Sequence, residues 1–182
     1  MRGIWSDFRE HLYGIAVDIG STTLAAHLCE LGSGEVLSSA GMMNPQIRFG
    51  EDLMSRVSYV MINQDGEKEL TKSVREALNQ LSLEVCKQAG IQKEEVIEMV
   101  MVGNPVMHHL VHGINPVELG GAPFALATDE AIITPASELD LELHQLSQTY
   151  TLPCIAGHVG ADTAAMVLAE APHLLEAITL LV

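Results

Sequence analysis

Residues 13–28, the most informative stretch of the sequence, read YGIAVDIGSTTLAAHL. An apolar run leads into Asp18 and Gly20, polar residues follow, and apolar residues then resume. The pattern predicts two antiparallel strands joined by a turn that suits a phosphate, because glycine lets the backbone approach an anion closely. The turn N–H groups and three hydroxyl groups can donate to phosphate oxygens. These hydroxyl residues are Ser21, Thr22 and Thr23. Asp18 can face a hydrated Mg²⁺, although an ordinary hairpin turn uses similar residues.

The rest of the chain predicts a sheet with helices packed on it. Strands at Tyr13–Ile19, 22–31 and 35–42 form a meander, and apolar residues at steps of three and four predict a long helix over 67–89. Shorter segments then alternate between strand and helix. We predict strands at 96–102, 152–156 and 179–182 and helices at 106–111 and 161–170. Three meander strands followed by βαβ units predict an α/β fold with a mixed sheet, the ribonuclease H-like arrangement.

Composition narrows the class of partner. The formal net charge of the 182-residue chain is −15, which should repel nucleic acid and anionic lipid.

The sequence shows no apolar core of a signal peptide and no apolar run long enough to span a bilayer. The three cysteines lie far apart, without a spacing typical of a zinc or iron–sulfur site, which favours reduced thiols and a cytoplasmic protein.

A second candidate segment, GHVGADTAA at 157–165, follows a predicted strand and opens a predicted helix. Gly157 and Gly160 would leave free N–H groups at the positive end of that helix, which suits an anion. Asp162 could hold Mg²⁺ or position a nucleophile, but capping the helix is an equally good interpretation. For His158 the favoured interpretation is a hydrogen-bonded structural histidine.

Three histidines near the middle of the chain could bind a metal, because the first and last of them share a helix face. They are His108, His109 and His112. No Glu lies between His108 and His112, as it would in an HExxH motif, and no third ligand is evident, so polar positions on an otherwise apolar helix are the favoured interpretation. For Asn104, turn chemistry is favoured over ligand binding.

A charged block at 48–56 has two open interpretations. Its members are Arg48, Glu51, Asp52 and Arg56. They could form a surface for a protein partner, or a salt-bridge network on a solvated face.

Five blocks together resemble the C-terminal ATPase-like domain of corrinoid-protein reductive activators, in the superfamily of acetate and sugar kinases, chaperones and actin. The blocks are YGIAVDIGSTT, GMMNPQIRFGEDLMSRVSYV, VGNPVMHHL, LGGAPFAL and CIAGHVGADTAAMVLAE. The resemblance implies two ribonuclease H-like halves closing on ATP and Mg²⁺. It makes Asp18 and Asp162 the catalytic and metal-binding carboxylates, with the hydroxyl turn and the 157–160 glycines binding nucleotide.

The implied function is ATP-dependent reduction of a corrinoid from Co(II) to Co(I), with a corrinoid iron–sulfur protein or methyltransferase component as partner. The electron would come from a [2Fe–2S] cluster in a separate N-terminal domain of the family. We expect a remnant or linker over 1–12, a first subdomain over 13–178 with an insert at 44–66, and the start of a second subdomain at 179–182. The chain would then be a fragment, with an exposed apolar edge at 179–182 that favours a homodimer.

Two other functions stay open from sequence. One is half of a phosphotransferase similar to the sugar or acetate kinases, and the other is a non-catalytic interaction module without nucleotide affinity. Whether the chain alone is an enzyme is undecided at this point.

Overall fold

The structure is a computed structural model, and it describes residues 11–174 and 176. Within this part of the chain, six strands and four α-helices alternate with short 3₁₀ turns. The strands are β1 (Tyr13–Ile19), β2 (Thr23–Glu30), β3 (Val36–Met43), β4 (Val96–Gly103), β5 (Ile132–Pro135) and β6 (Gln148–Thr151). The helices are α1 (Leu53–Ile62), α2 (Gly66–Ala89), α3 (Pro105–His112) and α4 (Ala161–Glu170).

The six strands form one mixed sheet in the order β3-β2-β1-β4-β6-β5. The first three strands are an antiparallel meander, as the hairpin signals predict. Strand β4 then pairs parallel to β1, β6 pairs parallel to β4, and β5 closes the edge antiparallel to β6. The predicted α/β class and the ribonuclease H-like half are confirmed.

The main core lies on one face of the sheet. Strand β1 alternates, with Ile15, Val17 and Ile19 buried toward this face and the residues between them exposed. Helix α2 packs there against β2 and β3, and its periodic apolar residues are buried as predicted. These residues are Leu70, Val74, Leu78, Leu81 and Val85. Gly90 ends the helix with a positive φ of 71°, which glycine adopts without strain.

Helix α4 lies on the opposite face of the sheet and covers little of it. Its contacts are chiefly with β4, and of its ten residues only Ala161 is buried. The outward residues of β1, Ala16 and Asp18, therefore stay exposed. This open face places Asp18 and the start of α4 on the same side of the sheet.

The strand predicted at 152–156 is wrong, because the ladder runs through Gln148–Thr151 instead. The apolar letters LPCIA suggested a buried strand, and Leu152 and Cys154 are indeed buried, but outside the ladder. Thr149 and Thr151 occupy the buried positions of this strand. The Thr149 hydroxyl donates to the carbonyl of Thr134, and the Thr151 hydroxyl shares a hydrogen bond with the ring of His112. The polar residues of β6 gave no strand signal, and its edge neighbour β5 is only four residues long.

The predicted remnant over 1–12 lies almost wholly outside the described residues, and so does the predicted strand at 179–182. The domain limits therefore stay predictions. None of the helices that the structure describes has the length and apolarity needed to cross a membrane.

Candidate functional site

The turn between β1 and β2 is held by hydrogen bonds to its carbonyl oxygens. Asn44 donates from Nδ2 to the carbonyl of Gly20 at 2.8 Å, and from its backbone N–H to the carbonyl of Thr22 at 2.8 Å. The carbonyl between them, that of Ser21, accepts a hydrogen bond from Nη2 of Arg56. A Cβ on Gly20 would lie 2.5 Å from the carbonyl oxygen of Thr23, so the turn requires glycine there.

The groups that hold this turn form one buried cluster. Nδ2 of Asn44 and Nη1 of Arg56 both approach Oε1 of Gln46 at 3.2 Å, and both also contact Sδ of Met107. The exposed fractions of Asn44, Gln46, Arg56 and Met107 are all 1% or less. We call these four residues the turn-support cluster. It fixes the orientation of the turn from the side of the core.

The orientation of the carbonyls determines where the turn amides point. In a trans peptide the C=O of one residue and the N–H of the next point in opposite directions. Because the carbonyls of Gly20 and Ser21 point into the turn-support cluster, the N–H groups of Ser21 and Thr22 point away from it. Neither N–H group donates to any group in the described part of the chain. Two free donors and neighbouring hydroxyls make a site that an anion can occupy.

The structure corrects the interpretation of the charged block at 48–56. Arg56 is fully buried and donates to uncharged oxygens, so neither the partner surface nor the salt-bridge network on a solvated face is right for this residue. Asp52 caps α1 instead, with its carboxylate accepting from the N–H and hydroxyl of Ser55 at 2.7 and 2.8 Å. Arg48 and Glu51 are exposed. The missed signal is the spacing of Arg56, which falls on the apolar stripe of α1 with Leu53, Val57 and Val60.

The segment at 157–165 meets the end of β4 through a close backbone contact. A Cβ on Gly160 would lie 2.5 Å from the carbonyl oxygen of Gly103 and 2.6 Å from Cα of Asn104. Glycine therefore lets α4 begin directly over the carboxyl end of β4, where ligands collect in parallel sheets. Asn104 caps α3 by accepting from the N–H of Met107 at 3.0 Å, which confirms its turn role.

The structure brings the two predicted carboxylates together at this edge. Asp18 ends β1 on the open face, and Asp162 lies in the first turn of α4. Partial burial raises the pKa of Asp18, and the charge of Asp162 raises it further. Oδ1 of Asp162 accepts from the N–H of Thr163 at 2.7 Å, while Gly160 is the N-cap residue and makes no side-chain cap.

Two carboxylates that repel each other suit a divalent cation between or beside them. Mg²⁺ is typically held by one or two carboxylates, waters and phosphate oxygens, not by an all-protein cage. No group of three or more His, Cys, Asp or Glu side chains that could hold a metal ion occurs among the described residues. The donor set at Asp18 and Asp162 thus fits a magnesium ion that arrives with a phosphate ligand.

Gly157 and His158 contact a loop from the middle of the chain. A Cβ on Gly157 would overlap the carbonyl oxygen of Phe124, and the ring of His158 lies 4.3 Å from the Phe124 ring, measured between centroids. His158 is exposed and makes no hydrogen bond within the described residues. The interpretation of His158 as a hydrogen-bonded structural histidine is therefore wrong.

The three histidines of α3 are structural. His109 bonds the carbonyl of Pro105 through Nδ1 at 2.8 Å and accepts from the N–H of Ala127 at Nε2. His112 shares a hydrogen bond of 2.9 Å with the hydroxyl of Thr151. His108 is 2% exposed, and neither ring nitrogen has a hydrogen-bond partner within the described chain. Burial lowers the pKa of His108 and of His112 to about 4.

An open cleft of about 400 Å³ lies between the outer face of the sheet and α4. Its lining is apolar apart from Asp18 and His27, and includes Val100, Val102 and Leu168. Such a surface offers phosphate few donors. The turn that follows β1 is therefore a better candidate for an anion site than this cleft, which lies beside Asp18.

Known proteins resemble this chain in sequence and in fold. A family model described as the RACo middle region matches residues 13–174. The chain is 34% identical over 157 residues to the corrinoid activation enzyme RamQ of Eubacterium limosum, covering 86% of this chain and 26% of that enzyme. A solved structure named a reductive activator for corrinoid, iron–sulfur protein matches with a TM-score of 0.90 and 34% identity, covering 94% of this chain and 27% of that one. The chain thus spans about a quarter of the length of each relative.

Proposed function

The chain belongs to the RACo middle-region family, and from this premise we propose that it forms the phosphate-binding half of an ATP-dependent activator of corrinoid proteins. The observation that carries the proposal is the β1–β2 turn. Its carbonyls bind the buried turn-support cluster, and the N–H groups of Ser21 and Thr22 face outward without partners. A phosphate chain is the ligand whose chemistry matches outward amides, hydroxyls and neighbouring carboxylates.

Each part of the site has its own role in this proposal. The amides of Ser21 and Thr22, with the hydroxyls of the turn, bind the phosphate oxygens. Asp18 and Asp162 hold Mg²⁺, which neutralises charge that the carboxylates and phosphates would otherwise bring together. Gly160 lets α4 start close enough for Asp162 to reach this place.

In this proposal, nucleotide binding drives a conformational change. A nucleotide that binds one conformation of the protein more tightly than another shifts the population toward it, and this shift can be coupled to an uphill change in a partner. We propose that the partner is a corrinoid iron–sulfur protein or a corrinoid methyltransferase component, in which cobalt passes from Co(II) to Co(I). The names of the two relatives support this class of partner. We further propose a cytoplasmic location.

A thermal titration tests the nucleotide part of the proposal. Ligand that binds only the folded state stabilises it by RT ln(1 + [L]/Kd), about 2.7 kcal/mol at a hundredfold excess over Kd. We expect Mg·ATP and Mg·ADP to raise the melting temperature and adenosine to do so much less. Asp18→Asn should abolish the Mg²⁺-dependent part of the shift, whereas Asp129→Asn, at an exposed loop position, should keep it.

The corrinoid part has a separate test. Sedimentation of the chain with a Co(II) corrinoid iron–sulfur protein should reveal a complex whose stability depends on Mg·ATP. A nucleotide-induced stability shift without any complex would retain the nucleotide site and remove the proposed partner.

A further inference from the structure

Arg56 is a buried cation whose charge has no carboxylate in contact. Its guanidinium donates to three protein oxygens, the carbonyls of Gly50 and Ser21 and Oε1 of Gln46. No ion pair between Arg56 and an acidic side chain exists among the described residues. Asp52 is the acidic residue whose charge acts on it, and that carboxylate is engaged in the cap of α1.

A buried charge that is balanced only by dipoles is costly, because burial removes it from water without a counterion beside it. Desolvation lowers the pKa of Arg56 to about 10, so the side chain stays protonated at neutral pH. The net charge of the chain is −15, which by itself would repel a phosphate ligand. A fixed positive charge directly behind the turn opposes that repulsion at one place.

The contact with Ser21 connects this charge to the candidate anion site. The Ser21 carbonyl that Arg56 binds belongs to the same peptide group as the outward N–H of Thr22. A hydrogen bond from a cation to the carbonyl polarises that peptide and makes its N–H a stronger donor. The Arg56 side chain thus both places a positive charge behind the site and orients the Thr22 N–H.

We propose that Arg56 is a positioning residue of the phosphate site. It orients and polarises the Thr22 N–H, and its buried positive charge attracts the negative charge of the phosphate ligand. This inference rests on the proposed nucleotide site and adds to it a residue that never touches the ligand. The ligand class is a di- or triphosphate, because the effect depends on phosphate charge.

Calorimetric titration of three variants of the chain tests the inference. Arg56→Gln should weaken Mg·ATP and Mg·ADP binding by roughly tenfold or more, since charge-assisted hydrogen bonds are the strong ones. Adenosine, which has no phosphate, should bind Arg56→Gln and the unchanged chain with equal affinity.

Arg56→Lys keeps the charge but loses the planar guanidinium, so its affinity for Mg·ATP should lie between those of Arg56→Gln and the unchanged chain. Arg48→Gln removes the same charge from an exposed position of the same segment and should stay within about twofold of the unchanged chain.

The outcomes separate this inference from the proposed function. Nucleotide binding by the unchanged chain with equal affinity in Arg56→Gln overturns the role of Arg56 and leaves the nucleotide site standing. Equal weakening of ATP and adenosine would mean a structural role only, and also overturns it. Lack of nucleotide binding by the unchanged chain overturns both. If Arg56→Gln does not fold, Arg56→Lys decides, with a loss of affinity for Mg·ATP and none for adenosine expected.

Discussion

Asn44 donates from Nδ2 to the carbonyl oxygen of Gly20 at 2.8 Å, which joins the end of β3 to the turn 24 residues earlier. The same side chain accepts from the N–H of Gln46 at 2.9 Å and so caps the 3₁₀ turn that follows. One buried amide therefore ends the meander and fixes the direction of the β1–β2 turn. Both the stability of the fold and the geometry of the candidate anion site therefore depend on the Asn44 side chain.

Replacing Asn44 should destabilise the fold and the site at once. Asn44→Ala leaves the Gly20 carbonyl and the Gln46 N–H without their partners in a buried place, at a cost of about 2–3 kcal/mol in the free energy of unfolding. Urea denaturation measures this. Asn115→Ala, which removes one exposed side-chain bond to the N–H of Val117, should cost less than about 1 kcal/mol. Equal losses in the two variants would contradict the account.

A methyl group at Gly160 should separate α4 from the sheet. The added Cβ would meet backbone atoms of Gly103 and Asn104 at 2.5 and 2.6 Å, and backbone cannot rotate away as a side chain can. Overpacking of this kind typically costs about 1–3 kcal/mol, and we expect Gly160→Ala also to lose nucleotide-induced stabilisation. Gly121→Ala is the matched control, because Gly121 has an extended backbone and open space around its Cα. It should change stability by less than about 0.5 kcal/mol.

The carboxylate pair makes a prediction about titration. Because the charge of Asp162 contributes to the raised pKa of Asp18, Asp162→Asn should lower the pKa of Asp18 toward its ordinary value. The remaining elevation comes from burial, which is the larger cause. Carbon-detected NMR of the Asp18 carboxyl during a pH titration measures the change, with Asp129→Asn as a control. An unchanged pKa in Asp162→Asn would mean that the two carboxylates do not interact.

Acid should destabilise the protein through the histidines of α3. The pKa of His108 falls from 6.5 to about 4 on folding, so the folded state favours the neutral ring. The free energy of unfolding that is linked to this titration is therefore highest above pH 6.5, and it decreases as the pH falls from 6.5 through about 4. The loss amounts to a few kcal/mol at most for this residue. Urea denaturation at a series of pH values measures the slope.

Substitution of His108 tests the origin of that slope. His108→Leu removes two ring nitrogens that lack partners and keeps a buried apolar side chain, so it should be neutral or stabilising by about 1 kcal/mol at pH 7. It should also make the acid limb of the stability profile less steep, with the remaining slope coming from His109 and His112. His27→Leu, at an exposed position, should leave that limb in place. A steeper acid limb in His108→Leu would contradict the assignment.

The sequence predicts the meander, the long helix α2 and the start of α4 because periodicity and glycine signals are local. Strand β6 is missed, since Thr149 and Thr151 satisfy their hydroxyls through partners distant in sequence. The proximity of Asp18 and Asp162 follows from the parallel pairing of β1 with β4 and was accessible from topology. The contact of Arg56 with the Ser21 carbonyl was not, because the two residues lie 35 positions apart in the sequence. An arginine on an apolar helical stripe is the signal for such a residue.

The most direct measurement maps amide shifts in the ¹⁵N-labelled chain during titration with Mg·ATP. We expect the amide signals of Ser21 and Thr22 to shift first and farthest, Mg·ADP to reproduce these shifts, and adenosine to leave them unchanged. Shifts confined to the apolar cleft beside α4, or no shifts at millimolar Mg·ATP, would contradict the claim that the β1–β2 turn binds phosphate.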